Sequence, residues 1–126
     1  MPLLSLEHVN LRTARLEAMC AFYTNVLGLE PGPRPPFAFG GAWLYCGGKP
    51  VVHLVEVSEP ATAAGPLSLE HFAFAGSSLS EFLQRLQANG VEYRLTRLPG
   101  SGQHQVFVHD PDRNRLHVDF DASESA

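Results

Sequence analysis

Hydrophobic and polar positions follow two different periods along this chain of 126 residues, and the periods succeed one another in the same order twice. Residues 3–11 (LLSLEHVNL) alternate with the period of two that predicts a half-buried strand. Residues 15–28 (RLEAMCAFYTNVLG) carry apolar side chains at helical spacing and end at Gly28, a residue type that closes many helices. After a proline-rich bend (GLEPGPRPPF), strand-like runs follow at 42–47 and 50–57.

The second half of the chain repeats this order. Residues 67–74 (LSLEHFAF) predict a strand, and residues 77–90 predict a helix whose N-terminus Ser77 or Ser78 can cap. Three more strands are predicted at 91–98, 104–110 and 115–120. The predicted order is therefore strand, helix and three strands, twice over.

These elements predict an α+β protein in which residues 1–126 form one domain built from two βαβββ modules. Module 1 covers about 3–57 and module 2 about 67–120, and residues 58–66 (SEPATAAGP) are predicted to link them. The polar tail at 121–126 is expected to lack order.

The same pentapeptide, LSLEH, opens both modules at 4–8 and at 67–71. It places His8 and His71 at equivalent positions, 63 residues apart. The last strands repeat the residue type as well, because His53 (VVHLVE) and His117 (RLHVDF) are separated by 64 residues. Each module therefore carries one histidine on its first strand and one on its last.

Four repeated histidines indicate a metal site. Alternation along each strand predicts that His8, His71 and His117 point away from the apolar face on which the helices pack. Two modules related by an approximate two-fold axis would bring four imidazoles, including that of His53, toward one axis. Neutral imidazole binds Zn²⁺, Fe²⁺, Ni²⁺ and Cu²⁺. The structural alternative is a hydrogen-bonded, half-buried strand histidine, which duplication alone could have copied.

Other ionisable residues compete with this set. Glu56 lies three positions past His53 and is an alternative ligand, but a regular strand would put the two on opposite faces, which favours His53. His104 follows the loop PGSGQ and is a candidate for substrate contact, although a solvated loop histidine is the simpler interpretation. His109 precedes a turn and is expected to be structural.

Composition narrows the functional classes. The formal net charge is −4 and the nine Lys and Arg residues are scattered, which argues against a nucleic-acid or anionic membrane partner. No apolar run reaches the roughly 18–20 residues of a membrane span, so a cytoplasmic protein is expected. Without a Cys-x-x-Cys spacing, Cys20 and Cys46 are predicted to be reduced core residues.

A known family shares these motifs. The runs LEHVNL, AFYTNVLGL, RPPF, GAWLY, VHLVE, LEHFAF, LQANGVEYR and PGSGQHQVFVHDPDRNRLHVDF resemble the vicinal oxygen chelate superfamily of glyoxalases, bleomycin and fosfomycin resistance proteins and extradiol dioxygenases. The resemblance covers residues 4 to about 120, and FYTNVLGL and FVHDPDRNRL are its most specific parts.

The resemblance implies paired βαβββ modules that form a cup-shaped, incomplete barrel, completed in a homodimer when the chain is this short. It also implies a divalent metal (Fe, Zn, Ni or Mn) held at the positions of His8, His53, His71 and His117. In this family the metal binds two adjacent oxygens of a substrate or intermediate, and a Lewis acid stabilises charge that develops on them.

Two positions depart from the family pattern. Relatives usually carry Glu where His117 stands, and glyoxalases commonly carry a second Glu at the position of His53, so lactoylglutathione isomerase activity is not expected. Without a carboxylate in the matching set, an anionic substrate or bound hydroxide is favoured. Arg113 occupies a turn position that is usually Gly, so Asn114 is expected to take any left-handed conformation.

Two functions follow from the sequence. The first is a metal-dependent lyase, isomerase or dioxygenase that acts on a small oxygenated molecule in a partly aromatic pocket. The second is a metal-free protein that binds or sequesters a small molecule, as the bleomycin resistance members do. Candidate residues of the pocket wall are Phe37, Phe39, Trp43 and Tyr45, with His104 nearby.

Overall fold

A computed structural model describes residues 2–60 and 67–126 of the chain. The chain divides into two compact units, Met1–Thr62 and Ala63–Ala126. Most of the predicted linker, residues 61–66, lies outside the described residues. The α+β class and the repeated order of strand, helix and three strands are confirmed.

Module 1 is an open four-stranded sheet with one helical segment. Its strand order is β1-β4-β3-β2, in which β1 runs parallel to β4 and the other neighbours are antiparallel. Its helix α1 continues directly into a π-helical turn. The elements are β1 (Val9–Thr13), α1 (Leu16–Ala21), the π-helical turn (Phe22–Val26), β2 (Glu30–Gly32), β3 (Gly41–Cys46) and β4 (Lys49–Glu56).

Module 2 has the same topology. Its strand order is β5-β8-β7-β6, with β5 parallel to β8 and the other pairs antiparallel. The shared parallel pairing brings the first and last strands of each module side by side. The elements are β5 (His71–Ala75), α2 (Leu79–Ala88), β6 (Arg94–Arg97), β7 (His104–His109) and β8 (Arg115–Phe120).

Each module buries its apolar core between its helix and one face of its sheet. In module 1, α1 packs on β3 and β4, where Leu44, Val52 and Leu54 are almost completely buried. In module 2, Phe82 of α2 lies with its ring centroid 5.5 Å from that of Phe120 on β8. Burial of this apolar surface is the main favourable contribution to folding.

Both first strands begin later than the alternation predicts. The register pairs Val9 with Val52 and His71 with Arg115, and the preceding LSLE residues lie before the paired segments. Their leucines are consequently exposed, with 95% of Leu4 and 68% of Leu69 accessible. The alternation of residues 4–7 therefore reflects the repeat and not a strand.

The proline-rich bend contains β2, the strand of module 1 that the repeated order includes but that the sequence pattern did not locate. Pro31 lies in β2, at the edge of the sheet, where the missing N–H of proline is tolerated. At Gly32, the last residue of this strand, a β-carbon would come within 2.6 Å of the Tyr45 ring. Only a residue without a side chain allows this close approach.

The turn after β7 differs from the prediction. Arg113 itself takes the left-handed conformation, with φ of 70°, and Asn114 does not. The reason lies in Asp110, whose Oδ1 accepts from the Asp112 and Asn114 N–H groups while Oδ2 accepts from the Asn114 side chain. These bonds hold Asn114 in place, so the strained position falls on the residue before it.

The C-terminal tail is ordered, contrary to expectation. The carboxylate of Glu124 accepts hydrogen bonds from the backbone N–H groups of Ser78 (3.2 Å) and Leu79 (2.7 Å). In the described part of module 2 the Ser78 side chain makes no capping bond to α2. The tail therefore caps the helix that the serines were expected to cap, and a carboxylate also suits the positive end of a helix.

The cysteines are both free thiols in the described chain. Cys20 is half-buried, and burial raises the pKa of its thiol. Cys46 is exposed, so its prediction as a core residue was wrong. In the part of the chain described, none of the helices has the length and apolar character needed to cross a membrane.

Candidate functional site: paired histidines on each sheet

The strand register places the repeated histidines on the sheet face opposite the helix. His53 pairs with Trp43 and His117 with Phe107, and paired residues share a face. Their sequence neighbours Leu54 and Val118 point to the buried, helix-packed side. We call the side of each sheet that carries His8, Trp43 and His53 in module 1, or His71, Phe107 and His117 in module 2, the histidine face.

Three rings stack on the histidine face of module 1. The His8 and His53 centroids are 3.8 Å apart and the Trp43 and His53 centroids 4.0 Å apart, with interplanar angles of 12° in both pairs. His53 is thus enclosed between two parallel rings and is only 9% exposed. The stack links His8, which directly precedes β1, to β3 and β4.

The environment of His53 favours its neutral form. Burial lowers the pKa of His53, and the neighbouring His8 lowers it further. Its Nε2 lies 3.0 Å from the Pro50 carbonyl oxygen. A carbonyl can only accept, so Nε2–H donates this bond and the lone pair of the neutral ring is on Nδ1.

Module 2 holds its two histidines in a different arrangement. The His71 and His117 rings are 5.0 Å apart and tilted by 42°. His117 Nδ1 lies 2.6 Å from the Asp119 carboxylate, and His71 Nδ1 lies 2.7 Å from that of Glu70. Each Nδ1–H donates to a carboxylate, which leaves the Nε2 lone pair of each neutral ring available.

His8 repeats this pattern in module 1, with its Nδ1 lying 3.1 Å from the Glu7 carboxylate. Three of the four repeated histidines therefore combine a carboxylate at Nδ1 with a lone pair at Nε2. Metal-binding histidines in proteins are commonly oriented by such a carboxylate. His53 is the exception, because its Nε2 is bonded to a backbone carbonyl.

The contacts of Glu7 and Glu70 with the histidines were not predicted from the sequence. Regular alternation through LSLEH would put each glutamate on the face opposite its histidine, but both glutamates precede the strands, where alternation does not apply. The hydrogen bond from His71, reinforced by the charge of Arg115, lowers the pKa of the Glu70 carboxyl. The signal was present in the repeated pair Glu-His at the end of each LSLEH.

The competing residues occupy other positions. Glu56 pairs with Thr13 without a break in the β1-β4 register, so it lies on the opposite face of β4 from His53. His104 is the first residue of β7 and is 5% exposed, so the expectation of a solvated loop residue was wrong. Its Nε2–H donates to the Glu124 carbonyl at 2.7 Å, which gives it a role in holding the tail. His109 is exposed and pairs with Arg115.

The candidate aromatic wall lies in module 1. The Phe37 and Phe39 rings stack at 4.8 Å and are 43% and 46% exposed. Phe37 lies 6.4 Å from Trp43, and Trp43 continues into the histidine stack. The Tyr45 hydroxyl donates to the Pro33 carbonyl. These aromatic residues border the histidine face, whereas His104 lies on the helix side of its own sheet.

The histidines and their carboxylates are chemically suited to bind a divalent metal, but their arrangement fits one less well. Within the described residues of either module, no three His, Cys, Asp or Glu side chains gather into a metal-binding group. The lone pairs of His8 and His53 also lie in two nearly parallel ring planes, whose centroids are 3.8 Å apart. Both rings could reach one ion at the usual ~2.0–2.1 Å only after one of them rotates.

Comparison with known proteins identifies the family. Residues 5–118 match the model of the Glyoxalase/Bleomycin resistance protein/Dioxygenase superfamily. The chain belongs to this superfamily, which confirms the resemblance drawn from the sequence motifs. A search of curated protein sequences gave no significant match.

Solved structures share the fold over nearly the whole chain. A glyoxalase family protein from Bacillus anthracis is 25% identical, with a TM-score of 0.77 over 94% of this chain and 96% of that one. A lactoylglutathione lyase from Agrobacterium tumefaciens is 23% identical (TM-score 0.70; 95% and 96% covered). A fosfomycin resistance protein from Listeria monocytogenes is 19% identical (TM-score 0.68; 98% and 96% covered). The latter two likenesses concern the fold alone.

Proposed function

We propose that the chain is a metal-dependent enzyme, a lyase, isomerase or dioxygenase, that acts on a small oxygenated substrate through two adjacent oxygens. The observation that carries this proposal is the carboxylate-oriented histidine, repeated at His8, His71 and His117. Membership of the superfamily supports it. The metal is a divalent ion such as Fe, Zn, Ni or Mn.

The proposed ligands are the imidazoles of His8, His71 and His117, with His53 as a fourth. A bound divalent metal would act as a Lewis acid toward negative charge developing on the substrate oxygens. Glu70 and Asp119 fix the orientation of the two module 2 rings and supply negative charge beside them. They provide the anions that the histidine set itself lacks, so they reduce the need for an anionic substrate or hydroxide.

Elemental analysis tests this function. Protein purified natively, and protein incubated with Fe²⁺, Mn²⁺, Ni²⁺ or Zn²⁺ and desalted, should retain stoichiometric metal. The double variant His8→Ala/His71→Ala should lose it, whereas a variant of the exposed His109 (His109→Ala) should keep it. A wild-type protein that holds no metal under any of these conditions would exclude the proposal.

A metal-free binding protein is the second candidate, and the stack in module 1 favours it. Parallel rings of Trp43, His53 and His8 form a flat surface of the kind that stacks on an aromatic or apolar ligand. Binding of such a ligand should then survive in chelator and in His71→Ala. Tryptophan fluorescence of Trp43, titrated with a panel of aromatic compounds in EDTA, distinguishes this function from the first.

We also propose that the chain forms a homodimer, as the family resemblance implies. The exposed leucines that precede the first strands, including Leu6 (84%) and Leu67 (56%), support an apolar contact with another chain. Sedimentation equilibrium should give twice the 13.8 kDa of the chain. A single species at the monomer mass would contradict this assembly.

A further inference from the structure

The repeat breaks at two positions beside the last-strand histidines. Trp43 and Phe107 are equivalent because they pair with His53 and His117. On the next strand outward, Gly32 pairs with Trp43, whereas Arg94 pairs with Phe107. Two residues before the histidine, module 1 has Val51 and module 2 has Arg115. Module 2 thus carries arginine on both sides of its aromatic residue, where module 1 carries glycine and valine.

Both arginines contact the same ring. The Arg94 Cζ atom lies 4.9 Å and the Arg115 Cζ atom 5.0 Å from the Phe107 centroid. Phe107 also contacts the His117 ring, at 4.8 Å between centroids. The half-buried phenyl ring therefore holds two guanidinium groups on the histidine face, beside the buried His117.

A guanidinium group that lies over an aromatic ring can still donate hydrogen bonds. When the flat face of the group contacts the ring, its N–H donors, which lie in the plane of the group, stay available to a ligand. The edge that carries these donors matches two oxygens of a carboxylate or phosphoryl group in a bidentate contact. Arg94 is exposed to solvent, so a ligand can approach it.

The local carboxylates leave cationic charge for a ligand. Glu70 lies 3.1 Å from an Arg115 nitrogen and also accepts from His71. It can neutralise at most one guanidinium charge. Asp119 is bonded to His117 at 2.6 Å. An anion held by Arg94 would thus meet a positive charge that Glu70 and Asp119 do not neutralise, with Arg115 close to the same ring.

We propose that Arg94 and Arg115 bind an oxyanion group of the substrate, a carboxylate or a phosphoryl group, on the histidine face of module 2. The assignment of this anion to a substrate rests on the function proposed above. The substrate is then an organic acid or organophosphorus compound whose anionic end contacts the arginines. The glycine and valine of module 1 give that module no equivalent contact.

An anion titration of metal-free protein tests this site. Methylphosphonate and acetate are titrated separately into protein kept in EDTA, and the arginine Nε–Hε signals are followed by ¹⁵N NMR. The Arg94 and Arg115 signals should shift saturably with at least one probe, and comparison of the two probes separates phosphoryl from carboxylate recognition. Strictly linear or absent shifts with both probes would overturn the proposal.

Variants sharpen the test. Arg94→Met and Arg115→Met should each weaken binding at least about tenfold, because each removes a charge-assisted contact. Glu70→Gln should tighten it, since the glutamate competes for Arg115. Arg34→Met is the matched control: Arg34 also lies over aromatic rings, 5.1 Å from Phe37 and 5.5 Å from Phe39, but donates to the Phe39 carbonyl.

The outcomes separate this site from the metal proposal. Arg94→Met should retain wild-type metal content in the elemental analysis. If the protein binds no metal but the anion titration saturates, the enzymatic function fails and the anion site stands. If Arg34→Met weakens anion binding as much as Arg94→Met does, the effect is one of net charge and the assignment fails.

Discussion

Arg113 holds a left-handed backbone conformation (φ 70°) that glycine adopts without steric conflict. The β-carbon of any other residue makes this conformation unfavourable by about 1 kcal/mol or somewhat more. Arg113→Gly should therefore raise the free energy of unfolding by about 1 kcal/mol, measured by urea denaturation.

Asn114→Gly is the control for this prediction. Its side-chain amide donates to Asp110 at 2.8 Å, so the variant should be less stable than the wild type. A gain in Asn114→Gly and a loss in Arg113→Gly would instead place the strain on Asn114, the position expected from the sequence.

His53 gives the metal-free protein a pH dependence. Because burial lowers the pKa of His53 in the folded state, the unfolded chain takes up this proton first as the pH falls. The stabilisation that comes from neutral His53 is complete above the ordinary histidine pKa of about 6.5 and is lost at lower pH. The free energy of unfolding in EDTA should therefore rise with pH between the lowered pKa and about 6.5.

His53→Phe keeps an aromatic ring in the stack and removes the titrating group. Its unfolding free energy should change less over this pH range than that of the wild type, whereas His109→Gln, at an exposed position, should retain the wild-type slope. Equal slopes in all three proteins would show that the stack does not disfavour protonated His53.

At the level of elements, the C-terminal tail completes α2. Glu124→Gln removes the charged acceptor of the Ser78 and Leu79 N–H groups and should lower the free energy of unfolding by about 1 kcal/mol. Glu81→Gln changes the same charge in the first turn of α2 and should have a smaller effect. Equal losses, measured by thermal or urea unfolding, would indicate a dipole effect without a cap.

The elements also show what the sequence could predict. The spacing of apolar residues predicted both helices and most strands, because a buried face imposes a regular period on elements such as α2 and β7. This spacing did not predict the short β2, since two of its three residues are proline and glycine. The capping of α2 by Glu124 could not be predicted either, because it joins residues 45 positions apart that no local pattern connects.

At the level of the whole molecule, the repeat predicted the histidine pairs more completely than their surroundings. The offsets identified His8 with His71 and His53 with His117 as equivalent positions, and the parallel pairing of β1 with β4 and of β5 with β8 explains why the two histidines of each module meet. The stack on Trp43 depends on cross-strand packing, and the contact of Asp119 with His117 on the same strand depends on side-chain rotation. Those features require the folded chain.

Family membership fixes the fold, and the histidine environment supports the proposed chemistry. The two modules are alike in their histidines and in the glutamates that precede the first strands. They differ in that module 1 presents stacked aromatic rings and module 2 presents arginines around Phe107. This asymmetry is where the substrate preference of the chain is expected to reside.

The most direct test of the metal proposal is a Co²⁺ titration followed by visible absorption. Wild-type protein should bind Co²⁺, His117→Phe should lose most of the affinity, and Asp119→Asn should bind about 10–100-fold more weakly because its His117 is no longer oriented by a carboxylate. Glu59→Gln, an exposed charge change in the predicted linker, should bind as the wild type does. Absent binding, or equal affinity in all four proteins, would contradict a metal site built on carboxylate-oriented histidines.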